Sequence, residues 1–247
     1  MLLLGLDTAT PAVTVALHDG GQPLAQLVTV DAHRHAELLA PAIAKVVADA
    51  GASQSDLTGI AVGVGPGPYT GLRVGLVTAR VLGAALGIPV YGVCSLDIIA
   101  ADVDAGGDDF LVATDARRRE LYWARYDGTG RRTAGPEVAK PTLIPVSGLP
   151  AAGEGAMLYP EVLPNGLGPA FPASATLCRI TIAALAAGDP NNLLLPPEPL
   201  YLRRPDAREP GAPKRVTSYP PGERLPGVRA SGERDHDRPD HADGDSR

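Results

Sequence analysis

The sequence predicts an α/β protein of two lobes, each a mixed sheet flanked by helices. Three observations carry this. The first thirty residues alternate like strands around a turn. A strand, a glycine-rich loop and a long small-residue helix then follow in series. A polar break at 102–109 precedes a second set of strands.

The elements follow in order. "LLLGLDT" (Leu2–Thr8) reads as a mostly buried strand. "AVTVALHD" places Val13, Val15 and Leu17 on one face, and Gly20–Gly21 reads as a hairpin turn into a third strand, Pro23–Val30. Over 35–50, Leu39, Ile43, Val46, Val47 and Ala50 recur at helical spacing, and Gly51 stops the helix. Pro41 sits early in that helix or kinks it. "LTGIAVGVGPG" gives a strand and loop. A helix over 71–87, a strand at Pro89–Val93 and a short helix over 95–101 come next.

The boundary between lobes is placed at 104/105. Residues 1–104 form the first lobe and 105–204 a smaller second one, starting with two strands around a turn in "FLVATDARRRELYWARYDG". A short helix is expected over 174–187. "PPEPLYLRR" reads as an extended segment closing the fold. Residues 205–247 are rich in proline and charge and offer few large apolar side chains, so that tail is expected to be disordered. Its His236 and His241 make no credible metal site. No internal repeat is detectable.

Composition narrows the functions. Hydrophobic residues make up 45 % but aromatics only 4 %, so the core must be aliphatic. A net charge of −6 argues against unaided nucleic-acid binding. Cys94 and Cys178 lack metal or redox spacing and read as buried free thiols in a reducing compartment. The N-terminus lacks the marks of a signal peptide, and no apolar run is long enough for a membrane span. A cytoplasmic protein is expected.

The loop "GVGPGPYTGLRVG" (Gly63–Gly75) decides among chemistries. Gly71 is followed by Leu72 and Arg73, so the lysine of a Walker loop is missing. A dinucleotide fingerprint begun at Gly63 or Gly65 would need glycine where Pro68 or Thr70 stands. A weaker phosphate reading rests on the helix opening at Gly71, with Arg73 near. In the helix, Gly71, Gly75, Ala79, Gly83 and Gly87 recur every four residues and form one ridge. Glycine inside a helix costs about 0.5–1 kcal/mol relative to alanine, so the ridge implies close backbone approach, by the sheet beneath or by another helix.

Taken together, "GLDTAT", "GVGPGPYTGLRVGLVTARVLG", "IPVYGV", "TDARRRELYWARY" and "PLYLRR" resemble the TsaB (YeaZ) family over about residues 1–204. The resemblance implies the two-lobe actin-like ATPase (ribonuclease H-like) fold. It implies a non-catalytic partner of the TsaD transferase, working with the ATPase TsaE. That complex transfers threonylcarbamoyl to N6 of the adenosine next to the anticodon in ANN-decoding tRNAs. Pro68 departs from the family's usual serine in the loop, which weakens phosphate binding there.

Several residue assignments follow. The partner surface is expected on helices 35–50 and 71–87, with His35, Leu38, Leu39, Ala42, Gly71, Leu72, Gly75, Leu76, Ala79, Leu82 and Gly83. The same face would form a homodimer when TsaD is absent. Asp7, Thr8 and Thr10, with Asp115 and Arg117 across the cleft, are either a vestigial nucleotide site or turn chemistry. Arg118 and Arg119 are candidate tRNA contacts or a solvated turn. tRNA is expected to be met only through the complex. No cofactor of its own is expected; ATP or ADP with magnesium would sit at the complex interface.

No metal site is expected. Ser95 and Ile99 stand where the catalytic paralogue's two metal histidines lie, and His33 and His35 diverge. Ser95 has no base near it in sequence, which disfavours a peptidase. An independent actin-like ATPase or small-molecule kinase is the main alternative; it needs a catalytic carboxylate and phosphate loops in both lobes, and only one lobe offers a plausible set.

Overall fold

The computed structural model describes residues 1–145, 148–163 and 166–203. The proline- and charge-rich stretch 205–247 and its histidines lie outside the described residues. Residues 1–205 form one compact unit.

The first sheet starts as a meander: β1 (Leu3–Asp7), β2 (Ala12–His18) and β3 (Pro23–Val30), antiparallel in sequence. Every residue of β1 and β2 is buried, whereas β3 alternates and leaves its even-numbered side chains exposed. Helix α1 (His35–Asp49) then crosses to β4 (Gly59–Gly63), parallel to β1. Helix α2 (Tyr69–Leu86) crosses to β5 (Val90–Val93), parallel to β4. The resulting strand order is β3-β2-β1-β4-β5.

Helix α2 begins two residues before the expected Gly71, because extended Pro68 serves as its N-terminal boundary. It ends at Gly87, whose φ of 66° is a left-handed cap that directs its N–H to the Gly83 carbonyl.

Helix α3 (Ser95–Ala100) leads into the second sheet. That sheet contains β6 (Phe110–Asp115), β7 (Leu121–Tyr126), β8 (Arg132–Ala139), β9 (Ala151–Ala152) and β10 (Gly166–Leu167), with α4 (Glu154–Leu158) between the last two. Its order is β10-β9-β6-β7-β8. Both sheets therefore share one plan: an antiparallel meander with two parallel strands added beyond its first strand. This internal repeat has no counterpart in the residues. Strand β8 lies in a stretch that reads as irregular because of Gly135 and Pro136.

Helix α5 (Ser174–Ala187) corrects the lobe assignment. It belongs by sequence to the expected second lobe but packs on the first sheet. A Cβ on Gly5 of β1 would lie 2.6 Å from both Cys178 Sγ and the Ser174 carbonyl, and Thr14 of β2 hydrogen-bonds Ser174 at 2.7 Å. The first sheet is thus covered on both faces, by α1 and α2 on one and α5 on the other. The 104/105 boundary separates the sheets but not their covering layers. Cys94 and Cys178 are free and buried, and burial pushes both thiols up to about 12.

The closing segment after α5 touches both parts. Leu195 exchanges backbone hydrogen bonds with Gly92 of β5, and Leu200 donates to the Val64 carbonyl. Tyr201 stacks on Tyr69 with ring centroids 5.4 Å apart. Arg203 donates to the Ala116 carbonyl and ion-pairs with Glu120, both at the β6–β7 turn.

Candidate docking face and interlobe turn

The turn after β1 places three candidate polar residues, and each has a specific local partner. Asp7 is fully buried. Its Oδ1 accepts the Ala9 N–H at 2.8 Å, and its Oδ2 accepts the Ser95 hydroxyl at 2.6 Å. Ser95 Oγ in turn accepts the Gly65 N–H at 3.2 Å. Burial dominates its titration and raises the Asp7 carboxyl to about 6, despite the stabilising bonds from Ser95 and Ala9. Only glycine fits at position 63, where a Cβ would lie 1.7 Å from Asp7 Oδ2. Asp7 therefore ties β1 to the glycine loop and to the start of α3, with both oxygens engaged.

Thr8 does the corresponding work for α2. Its hydroxyl donates to the Gly71 carbonyl at 2.7 Å and accepts the Gly75 N–H at 3.0 Å. Those are the two groups that an α-helix joins by its own i to i+4 bond. The turn has to come close for this. A Cβ at Gly71 would meet the Thr8 carbonyl at 2.8 Å, one at Gly75 would meet Thr8 Oγ1 at 2.5 Å, and one at Gly83 would meet Val90 Cγ2 at 2.4 Å.

The small-residue ridge is thereby explained, and the partner-surface assignment is corrected. Gly71, Leu72, Gly75, Leu76, Ala79 and Gly83 face their own sheet and are buried. On α1, His35, Leu39 and Ala42 are buried as well. His35 is held by its Nε2, 2.8 Å from the Thr10 carbonyl. Of the expected surface residues only Leu38 and Leu82 remain partly accessible.

The accessible face of the same helix pair is made by other residues. Val77 is 53 % and Val81 63 % exposed. With Ala40, Ile43, Leu82 and Ala85 they line a groove of about 390 Å³ between α1 and α2. Sequence periodicity selected the buried side of these two helices. A helix with apolar residues on both sides gives one strong stripe, and Val77 and Val81 lie on its far edge. Their signal was being apolar where a solvated helix would carry charge.

The β6–β7 turn supplies the remaining candidates. Arg117, Arg118 and Arg119 have φ of 61°, 57° and 60°, three successive left-handed residues without glycine. Asp115 steadies the turn: its Oδ1 accepts the Arg117 N–H at 2.8 Å, and its Oδ2 lies 3.3 Å from the Arg117 guanidinium. Asp115 also receives its own support, donating its N–H to Glu154 at 3.2 Å. Arg117 lines a cavity of about 200 Å³ with Thr8, Thr10, His35, Pro68 and Gly71.

The structure thus brings Thr8, Thr10 and Arg117 together across the cleft, but points Asp7 into the core. Pockets enclosing drug-sized ligands hold roughly 300–1,000 Å³, so this cavity is small for a nucleotide. Among the described residues, no group of three or more His, Cys, Asp or Glu side chains is arranged to hold a metal ion. Among them, too, no helix is long and apolar enough to cross a membrane.

With this geometry in hand, three comparisons place the chain. Residues 28–165 match the family model described as TsaD: tRNA N6-adenosine threonylcarbamoyltransferase. The solved structure of YeaZ from Pseudomonas aeruginosa superposes with a TM-score of 0.69 at 31 % identity, over 81 % of this chain and 99 % of that one.

The chain belongs to the TsaB (YeaZ) family.

An uncharacterized protein of Mycobacterium tuberculosis is 48 % identical to this chain, over 83 % of this chain and 93 % of its own length. The tRNA threonylcarbamoyladenosine biosynthesis protein TsaB of Escherichia coli is 35 % identical over 51 % of this chain and 55 % of its own. Both mixed sheets and their flanking helices agree with the fold expected of the family.

Proposed function

We propose that this chain serves threonylcarbamoyladenosine formation on tRNA as a non-catalytic partner that docks and activates a TsaD-type transferase. The observation that carries the docking reading is the groove between α1 and α2. Its exposed valines, Val77 and Val81, are backed by helices locked to the sheet through Thr8 and the glycine ridge. A rigid apolar face of this kind suits a protein partner. Docking would favour the transferase's active arrangement through differential contact with its states.

A catalytic role of its own is disfavoured by Asp7, whose oxygens are engaged by Ala9 and Ser95 rather than turned to the cleft. Ser95 likewise spends its hydroxyl on Asp7, leaving no activated nucleophile for a peptidase. TsaE joins the same assembly in this reading. ATP or ADP with magnesium would sit between subunits, and tRNA would be met through the complex, with Arg118 and Arg119 as this chain's candidate contacts.

The test is reconstitution with TsaD, TsaE, a threonylcarbamoyl-adenylate source and tRNA. Product formation should require this chain. Val77→Arg with Val81→Arg should weaken TsaD binding by at least about 30-fold, as removal of an interface hot spot does. Full product formation without the chain, or unchanged TsaD binding by the double variant, overturns the proposal.

A further inference from the structure

The segment after α5 joins two parts of the molecule that are far apart in sequence. Leu195 pairs with Gly92 on β5, and Leu200 donates its N–H to the Val64 carbonyl, where the glycine loop begins. Tyr201 then lays its ring on Tyr69, the first residue of α2, with the planes 24° from parallel. Two residues on, Arg203 reaches the second sheet. It donates to the Ala116 carbonyl at 2.9 Å and ion-pairs with Glu120.

The turn that Arg203 grips is one that its own residues disfavour. Arg117, Arg118 and Arg119 are all left-handed and none is glycine, so each Cβ crowds the carbonyl that follows it. Such a conformation persists only where its surroundings hold it. From within, the Ala116 N–H donates to the Glu120 carbonyl at 2.9 Å and the Glu120 N–H to the Arg117 carbonyl at 3.0 Å. Arg203 binds both ends of this short loop from a different segment. The tyrosine end of that segment is open to solvent: Tyr69 is 50 % and Tyr201 41 % exposed. The Arg73 guanidinium lies 5.0 Å from the centre of the Tyr69 ring and donates to its hydroxyl. Tyr69, Arg73 and Val77 line a hollow of about 460 Å³, and Val77 and Thr78 also line the groove between α1 and α2. The tyrosine pair therefore stands beside the docking face.

We infer that residues 195–203 form a strap through which the Tyr69–Tyr201 stack sets the shape of the three-arginine turn. While Tyr201 lies on Tyr69, Arg203 is placed to grip the turn. The arginines then stay left-handed, with Arg117 on the wall of the small cavity beside Thr8 and Thr10. When the stack opens, Arg203 loses its placement, the turn relaxes, and Arg117 leaves that wall. Tyr201 and Arg203 are thus positioning residues that act on the cleft through the turn. A transferase seated against α2 would clamp the tyrosine pair and so tighten the turn, shifting it between two existing arrangements. That last consequence rests on the docking proposed above; the strap itself does not.

Amide exchange on the full chain tests it, read at the hydrogen-bonded N–H groups of Ala116, Arg117 and Glu120. Tyr201→Ala should speed their exchange by about three- to tenfold, the factor that an aromatic stack is worth, with β1 and β4 unchanged. Tyr201→Phe keeps the ring and should match the wild type. In the Arg203→Ala background, Tyr201→Ala should add nothing, because the stack acts through Arg203. Unchanged exchange in Tyr201→Ala overturns the inference, and so does a Tyr201→Ala effect of the same size with and without Arg203. Saturating TsaD, with binding followed separately by calorimetry, should slow the three amides in the wild type but not in Tyr201→Ala. Binding with no slowing in the wild type, or with equal slowing in both, overturns transmission through the strap and leaves the docking intact. Absence of binding overturns the docking instead, and the variants alone then decide the strap.

Discussion

Replacing Asp7 by Asn isolates the most unusual electrostatic feature of the chain. The carboxyl is fully buried and titrates at about 6, against an ordinary value of 3.8. The folded state thus holds a proton on Asp7 more tightly than the unfolded state does. Between the two values the folded chain binds more protons, so this group's contribution to stability falls as pH rises. Its stabilising effect is largest below 3.8 and is gone above 6. Integrating the two titrations from about pH 4.5 to about pH 8 gives a loss of about 2 kcal/mol.

Asparagine has no titration there. The difference in unfolding free energy between the wild type and Asp7→Asn should therefore move by about 2 kcal/mol over that range, in favour of the variant as pH rises. Urea unfolding of both proteins at several pH values measures it. Other carboxylates, such as the hydrogen-bonded Asp31 held low by the His33 N–H and Arg34, cancel because both proteins carry them. Asparagine can keep its Oδ1 on the Ala9 N–H and turn its amide group to the Ser95 oxygen; whatever that exchange costs is constant with pH and leaves the slope of the difference unchanged. A difference that is flat with pH, or that moves the other way, would refute the claim that burial outweighs the bonds from Ser95 and Ala9.

Three further outcomes follow from the packing of α2 and the closing segment. Thr8→Val should cost about 1–3 kcal/mol in chemical denaturation, because two buried backbone groups lose their shared hydroxyl. Gly75→Ala should cost about 1–3 kcal/mol in the same measurement, since its Cβ would sit 2.5 Å from a hydroxyl that is itself held. In the Thr8→Ser background the Gly75→Ala cost should persist, because the hydroxyl remains. Arg203→Ala should speed amide exchange in the 116–120 turn, which loses its hydrogen bond to Ala116 and the Glu120 ion pair, with little change at β1 or β4.

Much of the first sheet was legible because its elements obey local rules. The Gly20–Gly21 turn, the alternation of Val13, Val15 and Leu17, and the helix ended by Gly51 each follow from residues close in sequence. The site was legible in outline only. Matching turns suggested Asp115 and Arg117 facing Asp7, Thr8 and Thr10; Arg117 shares a cavity with Thr8 and Thr10, and neither carboxylate lines it. Asp7 turning inward to Ser95 was invisible, because 88 positions separate the two. Strand β8 was lost to Gly135 and Pro136, residues that break strands in the centre of a sheet but are tolerated at its edge.

By itself the sequence determined the α/β class, the course of the first sheet and the family, since alternation, helical spacing and the glycine loop are local patterns. Only the tertiary structure decided which side of each helix is buried. Gly71, Gly75 and Gly83 could have met another protein or their own sheet. The approach of Thr8 and Val90 to within 3 Å of where their Cβ atoms would stand settles that they meet the sheet. It also decided that α5 covers the first sheet. Such facts depend on which distant segments come together, and periodicity along one chain carries no record of its neighbours.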